Sequence, residues 1–145
     1  MIALACDHGG FELMQEVKAA LDGQGHKYTD FGTLNSESSD YPVFGICAAN
    51  AVASGKFSKG VLICGTGVGM SIVANKIPGI RAAQCSDTYT AEMARRHNDA
   101  NVLTLGARVI DKALAIKIIK VFLSTDFEGG RHARRVSIIN ALEAN

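Results

Sequence analysis

A cysteine followed by a glycine-rich stretch is the feature of this sequence best suited to chemistry. Cys64 ends the apolar run 61–64 and is followed by Gly65, Thr66, Gly67, Val68 and Gly69. Alternating glycines let backbone N–H groups turn toward one point, and a helix that begins there adds positive potential, so the loop suits an anion. A thiol beside a helix N-terminus can ionise near neutral pH and act as a base or nucleophile. The structural alternative is a tight turn that simply requires glycine.

Two nucleotide-binding patterns do not fit this loop. A P-loop needs Lys followed by Ser or Thr, which the stretch lacks, and the third glycine of the dinucleotide fingerprint would fall at Met70. The loop therefore predicts an anion site of another kind.

Two further segments carry groups that could take part in proton transfer. Asp7 and His8 directly follow the apolar run 2–6, and an acid beside an imidazole at a strand end favours function over packing. His97 and Asn98 follow a predicted helix over 88–96, where helix capping is the structural alternative. His97 could also face a cleft.

Three arginines crowd the start of the last predicted helix. Arg131 and Arg135 are four residues apart and share a helical face, so they can bind one phosphate from two sides, whereas Arg134 lies on a neighbouring face. Cations at a helix N-terminus oppose its dipole. A solvated basic surface is the plain alternative, but an anion bound among these side chains explains their position better.

Short apolar runs alternate with stretches of helical periodicity along the whole chain. The pattern predicts strands over 2–6, 27–31, 61–64, 80–85 and 102–105, and helices over 11–21, 41–54, 70–76, 88–96, 111–123 and 132–144. This alternation indicates a parallel sheet covered on both faces, so we predict one doubly wound α/β domain, 1–145, with a C-terminal helix. Ligands of such folds bind outside the carboxyl ends of the strands.

Composition and charge exclude several classes of protein. The chain has 145 residues, of which 48% are hydrophobic and 20% charged, and its formal net charge is +1. These values are typical of one globular domain, and a near-neutral chain has no general attraction for nucleic acid or anionic membranes. No apolar run approaches the ~20 residues of a membrane span, and the start lacks a basic leader. We therefore predict a cytoplasmic protein without nucleic-acid or membrane partners.

The cysteines lack the spacing of a zinc or dithiol motif. No two of them form a C-x-x-C pair, so free thiols in a reducing compartment are expected. Cys6, Cys47 and Cys85 lie on apolar faces of predicted strands or helices, which predicts core packing and low reactivity. The sequence presents no metal-ligand cluster, and no metal is expected.

Four motifs, taken together, resemble one enzyme family. They are Asp7-His8-Gly9-Gly10-Phe11, Cys64-Gly65-Thr66-Gly67-Val68-Gly69, His97-Asn98-Asp99-Ala100-Asn101-Val102, and Gly130-Arg131-His132 with Arg135-Val136. In order and interval, from residue 2 to about 142, they are similar to type B ribose-5-phosphate isomerases, a family shared with allose- and galactose-6-phosphate isomerases. The resemblance implies a flavodoxin-like (Rossmann-type) five-stranded sheet and an aldose–ketose isomerase without metal or cofactor. It also implies a dimer or dimer of dimers with sites at the subunit interface.

The resemblance gives the cysteine loop a role. Cys64 would be the base that moves a proton between C1 and C2 of the sugar through a cis-enediolate. Family members with Ser in its place carry Glu at the end of the loop, where this chain has Met70, so the chain resembles the cysteine group. Thr66 and the N–H groups from Gly65 to Met70 would stabilise the developing oxyanion.

The remaining motif residues are expected to open the sugar ring and anchor its phosphate. By the same resemblance, His97 would open the furanose ring, helped by Asp7, and Asn98 would hold sugar hydroxyls. The phosphate is expected among a basic set made of His8, Arg131, Arg135 and Arg108, the last supplied across the dimer.

An enediolate mechanism needs a base, an oxyanion site and a phosphate anchor, and we expect all of them at one edge of the sheet. The favoured reaction interconverts ribose 5-phosphate and ribulose 5-phosphate. A hexose phosphate, allose or galactose 6-phosphate, is the alternative substrate. A non-catalytic domain that binds a phosphorylated ligand or flavin is the alternative from another class, although it would need neither the thiol of Cys64 nor the imidazole of His97.

Overall fold

Helices cover both faces of a five-stranded parallel sheet. The computed structural model describes residues 1–144, within which the strands are β1 (Ile2–Cys6), β2 (Tyr28–Asp30), β3 (Lys59–Cys64), β4 (Ala82–Gln84) and β5 (Val102–Gly106). β1 and β5 are buried at every position and almost wholly apolar, as strands covered on two faces must be. β2 and β4 are shorter than predicted because they form the two edges of the sheet, where short strands limit unpaired backbone groups.

Six α-helices lie within residues 1–144. They are α1 (Phe11–Gly23), α2 (Tyr41–Ala53), α3 (Val68–Asn75), α4 (Thr88–Asn98), α5 (Lys112–Ser124) and α6 (Arg131–Ala141). Asp87 and Asp111 begin α4 and α5 as N-caps, since each side chain accepts a hydrogen bond from an N–H of the first turn. None of the helices in this part of the chain is long and apolar enough to cross a bilayer. The predicted doubly wound α/β class is confirmed, with element bounds shifted by a few residues.

The order of the strands is β2-β1-β3-β5-β4. Compared with the flavodoxin order, 2-1-3-4-5, the last two strands are exchanged. β5 rather than β4 therefore lies beside β3, and Cys64 at the end of β3 lies opposite Gly106 at the end of β5. The order reverses direction between β1 and β3, where Cys6 lies opposite Ile63. This switch point is where a ligand crevice is expected.

Each face of the sheet has its own hydrophobic core. On one face, α1, α4 and α5 pack on large side chains such as Leu4, Ile63 and Leu103. On the other face, α2 and α3 pack on smaller residues, including Ala3 and Ala5. Full burial of each large side chain contributes about 1.5–3 kcal/mol to folding. α6 lies outside these two layers and packs against α4.

We expect Gly10→Ala to destabilise the fold, because the turn after β1 lies against the backbone of β3. An added Cβ at Gly10 would lie 2.7 Å from both the carbonyl oxygen and Cγ2 of Ile63. Backbone cannot move aside as a flexible side-chain end can, so the free energy of unfolding should fall by about 1–3 kcal/mol in equilibrium urea denaturation.

Gly23→Ala is the matched control for this substitution. Gly23 ends α1, and no heavy atom lies within 4 Å of a Cβ added there. Alanine favours the helix, so the unfolding free energy should stay equal or rise by less than ~1 kcal/mol. Equal losses in the two variants would contradict the steric explanation.

Candidate active site

Cys64 is held at the mouth of the glycine loop with a backbone donor directed at its sulfur. The residue ends β3 and is 5% exposed. The loop turns back at Gly67, whose φ of +81° lies in the left-handed region that favours glycine. This turn brings the Gly67 N–H within 3.2 Å of Cys64 Sγ. A donor in this position stabilises negative charge on the sulfur.

The glycine loop is pressed onto β5. Thr104 Oγ1 donates a hydrogen bond of 2.8 Å to the Gly67 carbonyl, and a Cβ at Gly106 would lie 2.6 Å from the Thr66 carbonyl oxygen. Thr66 itself is exposed, and its Oγ1 accepts from the Val68 N–H at 3.3 Å. The N–H groups of Gly67 and Val68 are therefore directed at the side chains of Cys64 and Thr66. The first turn of α3 follows directly and adds its positive potential at the mouth.

Asp7 shapes the turn after β1. It is 7% exposed, and its Oδ1 accepts from the N–H groups of Gly9 at 2.9 Å and Gly10 at 3.2 Å. This capping fixes the 3₁₀ turn His8–Gly10 beside the glycine loop. The carboxylate predicted for proton transfer thus also has a structural task.

His8 is oriented by a residue that the sequence did not indicate. The N–H of Ser39 donates to His8 Nδ1 at 3.1 Å, and the N–H of His8 donates to Ser39 Oγ at 3.1 Å. Because Nδ1 accepts, the neutral ring carries its proton on Nε2, which leaves that nitrogen as a donor. Ser39 lies in a polar loop among other serines, so no spacing signal distinguishes it.

Arg108 lies over the glycine loop of its own chain. Its backbone N–H donates to the Gly65 carbonyl at 3.0 Å. A Cβ at Gly65 would lie 3.1 Å from one guanidinium nitrogen, and a Cβ at Gly9 would lie 3.7 Å from the other. The side chain therefore spans the turns after β1 and β3. Arg108 therefore lies in the same chain as the Cys64 and His8 that it neighbours, and its supply across a dimer to Arg131 and Arg135 stays a prediction.

His97 and Asn98 lie at the opposite edge of the sheet from Cys64. α4 begins after the carboxyl end of β4 and returns the chain to the start of β5, so its last residues lie at the amino edge. Arg81, just before β4, confirms this position by donating to the carbonyl of Asn98. A five-residue strand separates the two edges by about 15 Å. Within one chain, His97 and Asn98 therefore do not share an edge of the sheet with Cys64.

The basic start of α6 belongs with His97. α6 packs against α4, and the ring of His132 stacks on that of His97 with centroids 4.2 Å apart and planes 11° apart. Arg131 and Arg135, on either side of His132 in sequence, are exposed. The predicted residues therefore fall into two groups. The strand-end half contains Asp7, His8, Cys64, the loop 65–69 and Arg108; the helix-end half contains His97, Asn98, Arg131 and Arg135.

Glu128 completes an unexpected cluster beside the stacked rings. Its two carboxylate oxygens lie 3.9 Å from Nε2 of His97 and 3.9 Å from Nε2 of His132. Burial lowers the pKa of the His132 imidazole, and the nearby His97 and Arg131 lower it further, so the ring is neutral near pH 7. These residues have metal-ligating side chains, contrary to the expectation of no such cluster. The sequence did not indicate this cluster, because position 97 is far from positions 128 and 132 along the chain.

Comparisons with known proteins agree with this architecture. Residues 2–139 match the family described as Ribose/Galactose Isomerase. The chain belongs to this family. It is 50% identical over 142 residues to ribose-5-phosphate isomerase B of Escherichia coli K12, covering 98% of this chain and 95% of that one. It is 44% identical over 143 residues to D-erythrulose-4-phosphate isomerase of Pectobacterium atrosepticum, covering 98% and 94%.

A solved structure supports the same assignment. The ribose-5-phosphate isomerase B of Clostridium thermocellum superposes with a TM-score of 0.97 at 50% identity, covering 99% of this chain and 97% of that one. The protein is therefore a sugar-phosphate isomerase, as the four motifs predicted. The alternative of a non-catalytic binding domain is wrong.

The isomerase has cysteines in two kinds of environment. Burial, with Asp30 and Asp7 nearby, raises the pKa of the Cys6 thiol to about 12, and burial also raises the pKa of Cys85. Cys47 was expected in the core but is exposed. α2 is apolar around much of its circumference, so periodicity could not show which face is buried.

We therefore expect two classes of thiol reactivity in the folded enzyme. Cys47 should react with iodoacetamide without unfolding, and a sugar phosphate should protect Cys64 but leave Cys47 unaffected. Cys6 and Cys85 should react only after denaturation, because the thiolate is the reactive form and the raised pKa of each keeps its thiol protonated in the folded enzyme. Peptide mass spectrometry of a time course measures each site. Rapid labelling of Cys6 in the native enzyme would contradict this assignment.

Proposed function

We propose that this isomerase interconverts ribose 5-phosphate and ribulose 5-phosphate, with Cys64 as the base. The observation that carries the proposal is the Gly67 N–H directed at Cys64 Sγ, at the switch point of the sheet. A thiolate held there faces the turns that carry His8 and Arg108. The name of the Escherichia coli relative, at 50% identity, supports this choice of substrate.

The proposed reaction moves one proton between adjacent carbons. The Cys64 thiolate removes the proton from C2 of the open-chain aldose, and the C1 carbonyl becomes the enediolate oxygen. The same thiol returns the proton to C1, while the hydroxyl proton on O2 passes to O1 and O2 becomes the ketone oxygen. Proton transfer by a placed side chain contributes about 10²–10⁴-fold to such a rate. The remaining loop N–H groups, the dipole of α3 and Arg108 stabilise the negative oxygen, so the mechanism requires no metal.

Ring opening is assigned to His97 of a second copy. Sugar phosphates are largely closed rings, so a group that gives a proton to the ring oxygen and takes one from O1 must lie near the base. His97 of the same chain lies at the far edge of the sheet, about 15 Å away along a strand. We propose a site composed of the strand-end half of one chain and the helix-end half of another, with Asp7 and Asn98 on opposite sides of the sugar.

An exposed apolar surface supports association with a second copy. Val43 and Ile46 on α2, together with Val68 and Ile72 on α3, are 57%, 42%, 52% and 56% exposed. α2 and α3 pack against each other, so these side chains form one patch beside the glycine loop. Contiguous exposed apolar surface of this kind is typical of protein interfaces. A dimer, alone or within a dimer of dimers, would bury it and complete the site.

The phosphate anchor is proposed to draw on both halves. His8 offers its Nε2–H from the strand-end half, and Arg108 adds its guanidinium there. Arg131 and Arg135 share one exposed face at the start of α6 in the helix-end half. Each charge-assisted hydrogen bond to phosphate is worth about 1.5–3 kcal/mol.

Other phosphorylated sugars are the second candidate. A relative 44% identical over nearly the whole chain is named for a four-carbon substrate, so family members differ in the sugar that they accept. Allose and galactose 6-phosphates represent the longer chains. A panel of four-, five- and six-carbon sugar phosphates in a coupled assay decides among them.

In that assay we expect the highest kcat/KM for ribose 5-phosphate, and a loss of at least ~10²-fold in kcat for Cys64→Ser, because a hydroxyl does not ionise near neutral pH. Cys47→Ser is the matched control, since Cys47 is an exposed cysteine on α2 to which no catalytic role is assigned. If a four- or six-carbon sugar phosphate gave the highest kcat/KM, the substrate assignment would change and the assignment of Cys64 as the base would stand. Near-normal turnover by Cys64→Ser would contradict the assignment of Cys64 as the base.

Mixing two inactive variants tests the composite site. In a heterodimer of Cys64→Ser with His97→Asn, one site carries both lesions and the other carries neither. After 1:1 subunit exchange, about a quarter of all sites should be intact, and activity should recover in proportion.

The control pair is Cys64→Ser with Arg108→Ala. Both residues lie in the strand-end half, so every mixed site retains one lesion and no recovery is expected. Recovery in this control, or none in the first pair after verified exchange, would show that the halves are divided differently.

A further inference from the structure

The cluster of His97, Glu128 and His132 has the composition of a transition-metal site. One ligand atom from each residue lies within 4.8 Å of the others. Two imidazoles and one carboxylate are a ligand set that Zn²⁺ accepts, with a fourth position left for water. The ligands come from three places in the fold: the end of α4, the segment before α6, and the first turn of α6.

His132 supplies the observation that points to a ligand. Its ring is 6% exposed, and among residues 1–144 its Nε2 has no hydrogen-bond partner. The Glu128 carboxylate, 3.9 Å away, is too distant for a hydrogen bond. A buried polar nitrogen without a partner is costly, and a cation between it and the carboxylate would satisfy both.

Only small movements bring these atoms to coordination distances. Zn–N and Zn–O bonds of about 2.0–2.2 Å place neighbouring ligands of a tetrahedral ion about 3.3–3.5 Å apart. The gaps from Glu128 to the two histidines are 3.9 Å, and the side chains of His97 and Glu128 are 40% and 47% exposed. These two side chains are free to close on the ion, and a tilt of the His97 ring out of its stack directs both nitrogens to one point.

Nearby arginine side chains reduce the affinity of the cluster for a metal ion, but they leave the Glu128 carboxylate available to bind it. Arg96 lies 4.0 Å from Glu128 but forms a closer ion pair, 2.8 Å, with Glu92. Arg131 and Arg135 flank His132 and repel a cation. The cluster is therefore expected to hold a transition ion, through its nitrogen donors, and to reject Mg²⁺, which prefers oxygen ligands.

We propose that His97, Glu128 and His132 form a binding site for a divalent transition-metal ion of the Zn²⁺ type. Binding engages Nε2 of His97, the imidazole assigned above to ring opening. The ion and the closed-ring sugar therefore compete for one residue, and the site is inhibitory. Metal binding is independent of the proposed function, whereas the inhibition rests on it.

Titration of the chelator-treated full-length protein with ZnCl₂, followed by calorimetry and by thermal unfolding, tests the site. We expect one ion per chain, a higher Tm with Zn²⁺ and no change with Mg²⁺. Glu128→Gln and His132→Gln should each weaken binding by about tenfold or more. His26→Gln, an exposed histidine elsewhere on the chain, is the matched control and should bind as the parent does.

The competing explanation for Zn²⁺ binding is coordination by the cysteine thiols. Cys64→Ser and Cys47→Ser should retain Zn²⁺ binding if the cluster is the site. Absence of binding, binding unaffected by both cluster variants, or binding lost only with a cysteine would overturn the proposal. If His132→Gln does not fold, Glu128→Gln still tests the site, because it changes an exposed side chain.

Inhibition is measured separately, relative to the uninhibited rate of each variant. Zn²⁺ should slow turnover of closed-ring ribose 5-phosphate in the parent, and Glu128→Gln should need about tenfold more ion. Equal inhibition of both proteins would overturn the inhibitory role. The calorimetric result uses no sugar, so a failed isomerase assignment leaves it unchanged, and failure to bind Zn²⁺ leaves that assignment unchanged.

Discussion

Backbone contact between the glycine loop and the end of β5 is the constraint on which the strand-end half depends. The Thr66 carbonyl lies where only glycine fits at position 106, and Thr104 fastens the loop through the Gly67 carbonyl. Pressed in this way, the loop must turn through a left-handed residue, and that turn directs an N–H at Cys64. The environment of the thiol thus follows from the packing of a loop on a neighbouring strand.

The same parallel sheet that builds the strand-end half separates it from the helix-end half. Each helix that follows a strand returns the chain to the amino edge, so residues at the end of α4 lie about one strand length from those at the end of β3. His97 and Cys64 cannot meet within one chain. Association through the apolar patch on α2 and α3 is therefore a catalytic requirement in the proposed function as well as a source of stability.

The start of α6 concentrates positive charge where a helix least favours it. Its first turn contains no acidic residue, and Arg131, Arg134 and Arg135 oppose the helix dipole. In the proposed function, a bound phosphate offsets this repulsion. Beneath these arginines, the neutral His132 stacks on His97. By that proposal, one short helix connects phosphate binding with the imidazole that opens the sugar ring.

Local spacing was enough to predict the elements and most candidate residues. The alternation of apolar runs and helical stretches gave the α/β class, and the motif around Cys64 indicated an anion loop because glycine spacing acts over a few residues. Asp7 and His8 were placed correctly at the carboxyl edge of the sheet, since residues that directly follow a buried strand must lie at its carboxyl end.

Long-range pairing decided the rest. Nothing local specifies that β5 lies beside β3, and this order alone places Arg108 over its own glycine loop. The exposure of Cys47 depended on which face of a uniformly apolar helix meets the sheet. Glu128 meets His97 because the segment before α6, together with α6, docks on α4. The sequence by itself determined which residues end each element, and the tertiary structure determined which of those ends meet, because strand order and helix docking are set by packing between distant segments.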